Sequence, residues 1–323
     1  DQATVMGGSG ADTFRMGSGS ETIVASDTDA LIDGGSGTDT VQFGAAVSAT
    51  NLQNADLVNV ENVEVTSTGN AAYDFSVQTE VLNISGNSGD DTITGGSAAD
   101  TLSGGAGDDV LIATATDALI DGGDNTDTVR FGAAVSESDL TDAKLVNVEN
   151  VEITNTGNDS YDFSKQTESL TITSNSGNDT ITGGQAADDI DGGEGSDVFR
   201  GVDNDDVIDG GVDAGSNDTD IVELSADYAP LSDNHLVNVE EVVVTTSSNT
   251  VVDLSSQGES GTEGFVIEGN NGDDTIIGGS GDDTIIGGLG GDNIELKHGG
   301  DDIVVISDDA ESGYALTGSV IGF

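Results

Sequence analysis

The sequence predicts an all-β chain wound as a parallel β-solenoid. Three observations predict it. A nine-residue pattern recurs through most of the chain. One apolar residue holds the same place in every copy. The copies are enclosed in a longer unit that returns 88 positions on.

The nine-residue copies run in four blocks. The first is GGSGADTFR, MGSGSETIV, ASDTDALID and GGSGTDTVQ, residues 7–42. The second runs from GNSGDDTIT through GGSAADTLS, GGAGDDVLI and ATATDALID to GGDNTDTVR, residues 86–130. The third opens with SNSGNDTIT at residue 174. It continues through GGQAADDID, GGEGSDVFR and GVDNDDVID to a stretched copy, GGVDAGSNDTDIVE, ending at Glu223. The fourth is GNNGDDTII, GGSGDDTII, GGLGGDNIE and LKHGGDDIV, residues 269–304. The eighth position is always apolar, from Phe14, Ile23, Ile32 and Val41 to Ile303. The sixth is acidic everywhere except Ala30 and Ala118.

Each copy has room for about three strand residues and a turn rich in glycine, which tolerates φ > 0. A strand that short spans about 10 Å and buries nothing alone. Two copies per coil give an 18-residue rung, with eighth-position side chains stacked inside at roughly 4.8 Å per coil. The expected form is a β-roll.

Between the blocks lie connectors at 43–85, 131–173 and 224–268. The first two share FGAAVS, LVNVENVE and YDFS, and the third retains LVNVEEVVVT. Val65, Phe75, Ile84 and Ile93 keep the beat, so the connectors read as further strand-rich coils whose turns lack the Gly-Asp signature. The alternative is a small α/β insert, from the helix-like NLQNADLV. The chain thus reads as one continuous array over 1–323, with Pro230 inside the third connector. It closes on an incomplete capping segment at 305–323 and is expected to be part of a longer or processed protein.

With 62 acidic against 6 basic residues, the formal net charge is −56. A phosphate backbone needs cationic partners, so nucleic acid is excluded. No run of about 18 apolar residues predicts membrane insertion. Cysteine is absent, which removes disulfides and thiolate metal sites. The composition also fits a disordered chain, but the strict placement of apolar residues argues for a fold that needs positive charge.

The sixth-position acids supply the reason. Eighteen residues bring Asp91 under Asp109 and Asp109 under Asp127, and like charges so stacked repel. A divalent cation between coils reverses the sign. The proposed ligands are Asp12, Glu21, Asp39, Asp91, Asp100, Asp109, Asp127, Asp179, Asp188, Asp197, Asp206, Asp220, Asp274, Asp283, Asp292 and Asp301. Backbone carbonyls join them from Gly8, Gly10, Gly35, Gly37, Gly89, Gly96, Gly105, Gly107, Gly123, Gly177, Gly184, Gly193, Gly195, Gly272, Gly279, Gly281, Gly288, Gly290 and Gly299. Oxygen ligands in a flexible cage suit Ca²⁺ better than Mg²⁺. Zinc and copper want His or Cys, and the chain has only His235 and His298. The plainer alternative is that the acids face solvent, which suits the fifth-position Asp90, Asp108, Asp273 and Asp282 better. Asp12 and Asp100 meet Ala30 and Ala118 a coil later, so those sites are expected to be weak unless Asp27, Asp29 or Asp117 substitutes.

GGSGDDTII and GGAGDDVLI fit the pattern GGxGxDxUx, and through its four blocks the chain resembles the repeat-in-toxin (RTX) calcium-binding proteins. The connectors, with NVENVEV and YDFS, are similar to those of bacterial surface-layer proteins and large RTX adhesins. The resemblance implies a secreted or cell-surface protein, exported by a type I system and folded by calcium outside the cell. No G-x-S-x-G elbow, H-E-x-x-H or phosphate loop is present, so the chain reads as a non-enzyme. The leading expectation is a structural surface-layer protein that self-associates or joins neighbouring segments. The alternatives are a rigid adhesin spacer, or the C-terminal secretion and folding module of an RTX enzyme.

Overall fold

Each nonad forms a strand of three or four residues in most copies, and that strand pairs in parallel with the strand one coil on. In the computed structural model the described residues are 3–136, 138–211, 218–229, 235–257, 264–296, 299–305 and 315–318, the last four as backbone alone. Pro230, His298, the middle of the stretched copy and most of the segment at 305–323 lie outside the described residues. Among the described residues every regular element is a strand, and there is no helix. The chain divides into two compact units, 1–154 and 155–323.

In the first unit one parallel sheet runs through Thr4–Met6, Thr22–Ala25, Thr40–Phe43, Asn62–Val65, Asn83–Ser85, Thr101–Ala106, Leu119–Asp124 and Leu145–Val146. A second runs through Ala72–Asp74, Thr92–Thr94, Val110–Ala113, Thr128–Phe131 and Asn150–Ile153. Thr13–Arg15, Leu31–Asp33 and Leu57–Val58 form a short third sheet beside block one. In the second unit one sheet carries Thr180–Thr182, Val198–Arg200, Ile221–Leu224 and Thr284–Ile286. Another carries Thr171–Thr173, Asp189–Asp191 and Val207–Asp209, and a third Val251–Asp253, Thr275–Ile277 and Asn293–Leu296. Both units are parallel β-solenoids.

Strand alternation sends the eighth-position side chain inward and its neighbours outward. Ile23, Val41, Leu102, Leu111 and Ile120 are all fully buried, as is their counterpart Ile285. Each contributes about 1.5–3 kcal/mol by leaving water, which a lone three-residue strand could not collect. Ile303 is the exception. It pairs with Thr284, so Val304 takes the inward place against Ile285 and Ile303 is 59% exposed. One extra residue in the preceding turn shifts the register.

The connectors are coils of the same stacks. Asn62–Val65 lies between Thr40–Phe43 and Asn83–Ser85, and Ala72–Asp74 pairs with Thr92–Thr94. Residues 51–56 of NLQNADLV are turn and bend, with Leu52 and Leu57 buried, so the α/β insert is not formed. Val47 bridges Tyr73, whereas Tyr228 bridges Val252. Connectors in the two units thus share a rung built from one tyrosine and one valine, with the large residue on opposite strands.

The longer repeat holds a half-integral number of coils. Thr22 stacks on Thr40, then Asn62, Asn83 and Thr101, four coils on. The residue 88 positions after Thr22 is Val110, which lies half a coil further, in the second sheet. Each copy of the repeat in this unit is therefore turned by half a coil from the one before.

Candidate calcium sites in the turns

The sixth-position acid is first a backbone device. Its residue precedes the strand, where the sheet ladder has not begun, and its N–H points toward the next coil. One carboxylate oxygen of that coil accepts it. The Asp91 N–H donates to Asp109 Oδ1 at 2.7 Å and the Asp109 N–H to Asp127 Oδ1 at 2.7 Å. Glu21 donates to Asp39, Asp188 to Asp206 and Asp274 to Asp292 in the same way. In the connectors glutamates replace the aspartate: Asp39 donates to Glu61 and Asp127 to Glu149. A buried N–H left without such a partner costs about 1–3 kcal/mol. These acids are therefore interior groups. Asp39, Asp91, Asp109 and Asp127 are each at most 1% exposed, and the solvent-facing alternative fails for them. Asp90, Asp108, Asp273 and Asp282 are exposed, as read from sequence.

The second carboxylate oxygen divides the turns into two kinds. In the open kind it is buried and without a hydrogen-bond partner. This holds for Glu21 Oε2 and for Oδ2 of Asp39, Asp91, Asp109, Asp127, Asp274 and Asp292. Their turns carry left-handed residues: Gly35 and Gly37, Gly105 and Gly107, Asn270 and Gly272, Gly288 and Gly290. At Asp39, Asp109, Asp127 and Asp274 the first-position glycine lies beside the orphaned oxygen. A Cβ on Gly104 would come within 2.4 Å of both Asp109 Oδ2 and the Gly122 carbonyl of the next coil. A Cβ on Gly122 would meet Asp127 Oδ2 at 2.6 Å and the Asn147 carbonyl at 2.0 Å, and Gly34, Gly192, Gly210 and Gly269 repeat the arrangement. At these six glycines carboxylate and carbonyl oxygens face one small space that a Cβ would fill; the Glu21 turn has Met16 at the first position instead.

In the closed kind the second oxygen is also taken. Asp12 Oδ2 accepts the Gly8 N–H, Asp100 Oδ2 the Gly96 N–H at 2.7 Å, and Asp188 Oδ2 the Gly184 N–H at 2.6 Å. Gly8, Gly96, Gly184 and Gly279 stay out of the left-handed region. Asp206 Oδ2 accepts from Asp203. Where the sixth position is alanine, Asp29 and Asp117 step in from one residue earlier. They accept from Asp12 and Asp100 with one oxygen and from Ser26 and Thr114 with the other. Asp27 instead accepts from Ser48 and Asn51. Asp283 follows the closed backbone. The Gly279 N–H lowers its pKa as the equivalent N–H does at Asp100 and Asp188, yet its Oδ2 is buried without a hydrogen-bond partner, so this turn joins a closed backbone to an open oxygen.

Four of the acids read from sequence fall in neither kind. Asp179 accepts from Asp159 and from the Ser174 hydroxyl. Asp197 and Asp220 accept from the N–H groups of Asp179 and Asp197, beside the first-position glycines Gly192 and Gly210. Asp301 is exposed; Asp302 takes the interior place and accepts the Asp283 N–H at 3.1 Å.

Burial pushes up the carboxyls of Asp91, Asp100, Asp109, Asp127, Asp188, Asp206, Asp274 and Asp283. Asp127 reaches about 6, from desolvation first and then the charges of Asp109, Glu149 and Asp108. Asp109 is raised by the same causes, with Asp91, Asp90 and Asp108 as the neighbouring charges. Stacked anions with unpaired oxygens in a dry space create a field that favours a cation. Among the described residues no three carboxylate or imidazole groups gather at one point, so a cation here draws on backbone carbonyls as well. An all-oxygen set of this kind fits Ca²⁺. The first-position carbonyls, such as Gly122, were not among the ligands read from sequence; the regular glycine at position one was the signal for them. Second-position carbonyls are partly committed elsewhere, since Asn87 accepts from Ala106 and Asn270 from Leu289.

The coils and their oxygen-lined turns define a parallel β-solenoid with candidate cation sites between coils. The model of the RTX calcium-binding nonapeptide repeat matches residues 16–45, 83–111, 171–199, 192–216 and 260–294. The chain belongs to the RTX calcium-binding β-roll family, and such repeats are typical of secreted proteins. No curated protein matches the chain.

Proposed function

We propose that this is an extracellular structural protein that folds on calcium after export and builds or extends a bacterial cell-surface layer. The observation that carries the calcium step is the row of buried carboxylate oxygens without partners at Asp39, Asp91, Asp109 and Asp127. A folded chain bearing them is strained by its own charge. Calcium supplies the missing positive charge, binds only the folded coils, and stabilises them by mass action. Cytosolic calcium is micromolar or lower, while extracellular modules bind at about 0.1–1 mM, so the chain stays unfolded inside and folds outside. What supports a structural role is that the described residues of the connectors form coils of the same stacks as the nonads.

Far-UV circular dichroism tests the calcium step. A strong chelator should leave a disordered spectrum, and added calcium should produce β-structure sigmoidally. A β-rich spectrum indifferent to chelator refutes it. Electron microscopy at millimolar calcium tests the layer: sheets or oligomers support it, and monodisperse monomers favour the adhesin spacer.

A further inference from the structure

The open and closed turns are not mixed along an edge. In block one the open turns end at Glu21 and Asp39, which precede strands of the first sheet, while Asp12 is closed and precedes the short third sheet. In block two the open turns end at Asp91, Asp109 and Asp127, which precede strands of the second sheet. There the first-sheet edge carries Asp100, now closed. The edge that was open in block one is therefore shut in block two.

The second unit repeats this exchange. In block three, Asp197 and Asp220 precede the sheet of Val198–Arg200 and Ile221–Leu224, and both have the cradle at their first-position glycines. Asp188, on the opposite edge, is closed. In block four the cradle lies beside Asp274, before Thr275–Ile277. Asp283, on the edge that Asp197 occupied, has the closed backbone.

Closure has a visible cause. The closed turns at Asp100, Asp188 and Asp283 sit on a connector turn that carries a buried glutamine, whereas the open turns at Asp91 and Asp274 meet the connector through Ala71 and Thr250. The third-position N–H groups of Ser97, Gln185 and Ser280 donate to the backbone carbonyls of Gln78, Gln166 and Gln257, one buried glutamine per connector. Held this way, the turn presents its second-position N–H to its own aspartate, at 2.7 Å for Gly96 and 2.6 Å for Gly184. A donor then occupies the oxygen that a cation needs. At Asp39, Asp109, Asp127 and Asp274 no N–H does so, and a carbonyl of the next coil approaches instead.

We infer that each nonad block loads calcium along one edge only, and that within each unit the half-coil repeat moves the loaded edge to the opposite side from one block to the next. This rests on the calcium reading above and adds which turns carry it. Asp100 and Asp188 are cap residues that hold a turn shut, although their nonads contain the family's acid. The loaded stripe changes side because the connector contributes its own closing turn to one edge of the following block.

The test compares Asp39→Asn and Asp109→Asn, from open edges on different sheets, with Asp100→Asn and Asp188→Asn. Bound calcium per full-length chain is measured by equilibrium dialysis at saturating calcium, beside the unaltered protein. The open-edge variants should each lose at least one bound ion. The closed-edge variants should keep the full complement, even where the lost cap lowers their thermal midpoint. Equal loss from Asp100→Asn and Asp109→Asn, or none from either, overturns the one-edge assignment while leaving the calcium reading intact. If the unaltered chain binds no calcium, the calcium reading itself fails.

Discussion

Replacing Asp109 by asparagine should change stability in opposite directions with and without calcium. Asp109 stands between Asp91 and Asp127 in the ladder, accepting from one and donating to the other. Coils stack at roughly 4.8 Å. At an effective dielectric constant near 20, two unit charges at that spacing repel by about 3.5 kcal/mol. Two neighbours make this about 7 kcal/mol, comparable with the 5–15 kcal/mol net stability of a typical domain. Asparagine keeps an oxygen for the Asp91 N–H but removes the charge. The weaker hydrogen bond returns about 1–2 kcal/mol of the gain. The calcium-free fold should thus be stabilised by several kcal/mol at pH 8. In calcium the variant lacks the buried Oδ2 and should be the less stable protein. The assay is circular dichroism in chelator, with folding drawn out by trimethylamine N-oxide, beside thermal unfolding at millimolar calcium. The variant should need less osmolyte in chelator and melt lower in calcium, by about 2–4 °C per kcal/mol. Destabilisation of similar size in both conditions would refute the electrostatic argument and leave Asp109 a structural cap.

Three further outcomes follow from the same geometry. Gly104→Ala should raise the calcium concentration at half-folding severalfold, because its Cβ would meet Asp109 Oδ2 and the Gly122 carbonyl at 2.4 Å; Gly95→Ala, with 3.3 Å to Asp100 Oδ2, should change it little. Asp127, Asp206 and Asp283 are each raised to about 6, chiefly by burial. The folded state then holds protons more tightly than the unfolded one, so the calcium-free fold should gain stability as pH falls from about 6 toward 4 and lose it as pH rises through 6. Calcium affinity, measured by titration calorimetry, should move the other way and weaken over that range. Tyr228→Phe should raise the thermal midpoint by a few degrees, since the hydroxyl is buried and lacks a hydrogen-bond partner and such a group costs about 1–3 kcal/mol.

The nonad period makes the solenoid legible, because a residue that must be apolar every nine positions, between turns, has few other uses. It also places the sixth-position column, since coil length sets which acids stack. Register fails only where a turn changes length, as at Asp301, where Asp302 does the work instead. The kind of turn is not legible from the motif, and block four shows why. GGSGDDTII at 278–286 satisfies the pattern in full, whereas GNNGDDTII at 269–277 departs from it at the second position. Yet Asn270 adopts the left-handed conformation at φ 68° while Gly279 stays out of that region, although Oδ2 of both Asp274 and Asp283 is buried without a hydrogen-bond partner. The turn at 278–283 stacks on a connector turn through the Gln257 carbonyl, and the turn at 269–274 has the Gly287 carbonyl of the next nonad beside its aspartate. A cation site between coils belongs to a pair of turns, and a nonapeptide motif describes only one of them. The pairing lies in the longer repeat, whose half coil decides which glycine-rich turn meets another and which meets a buried glutamine.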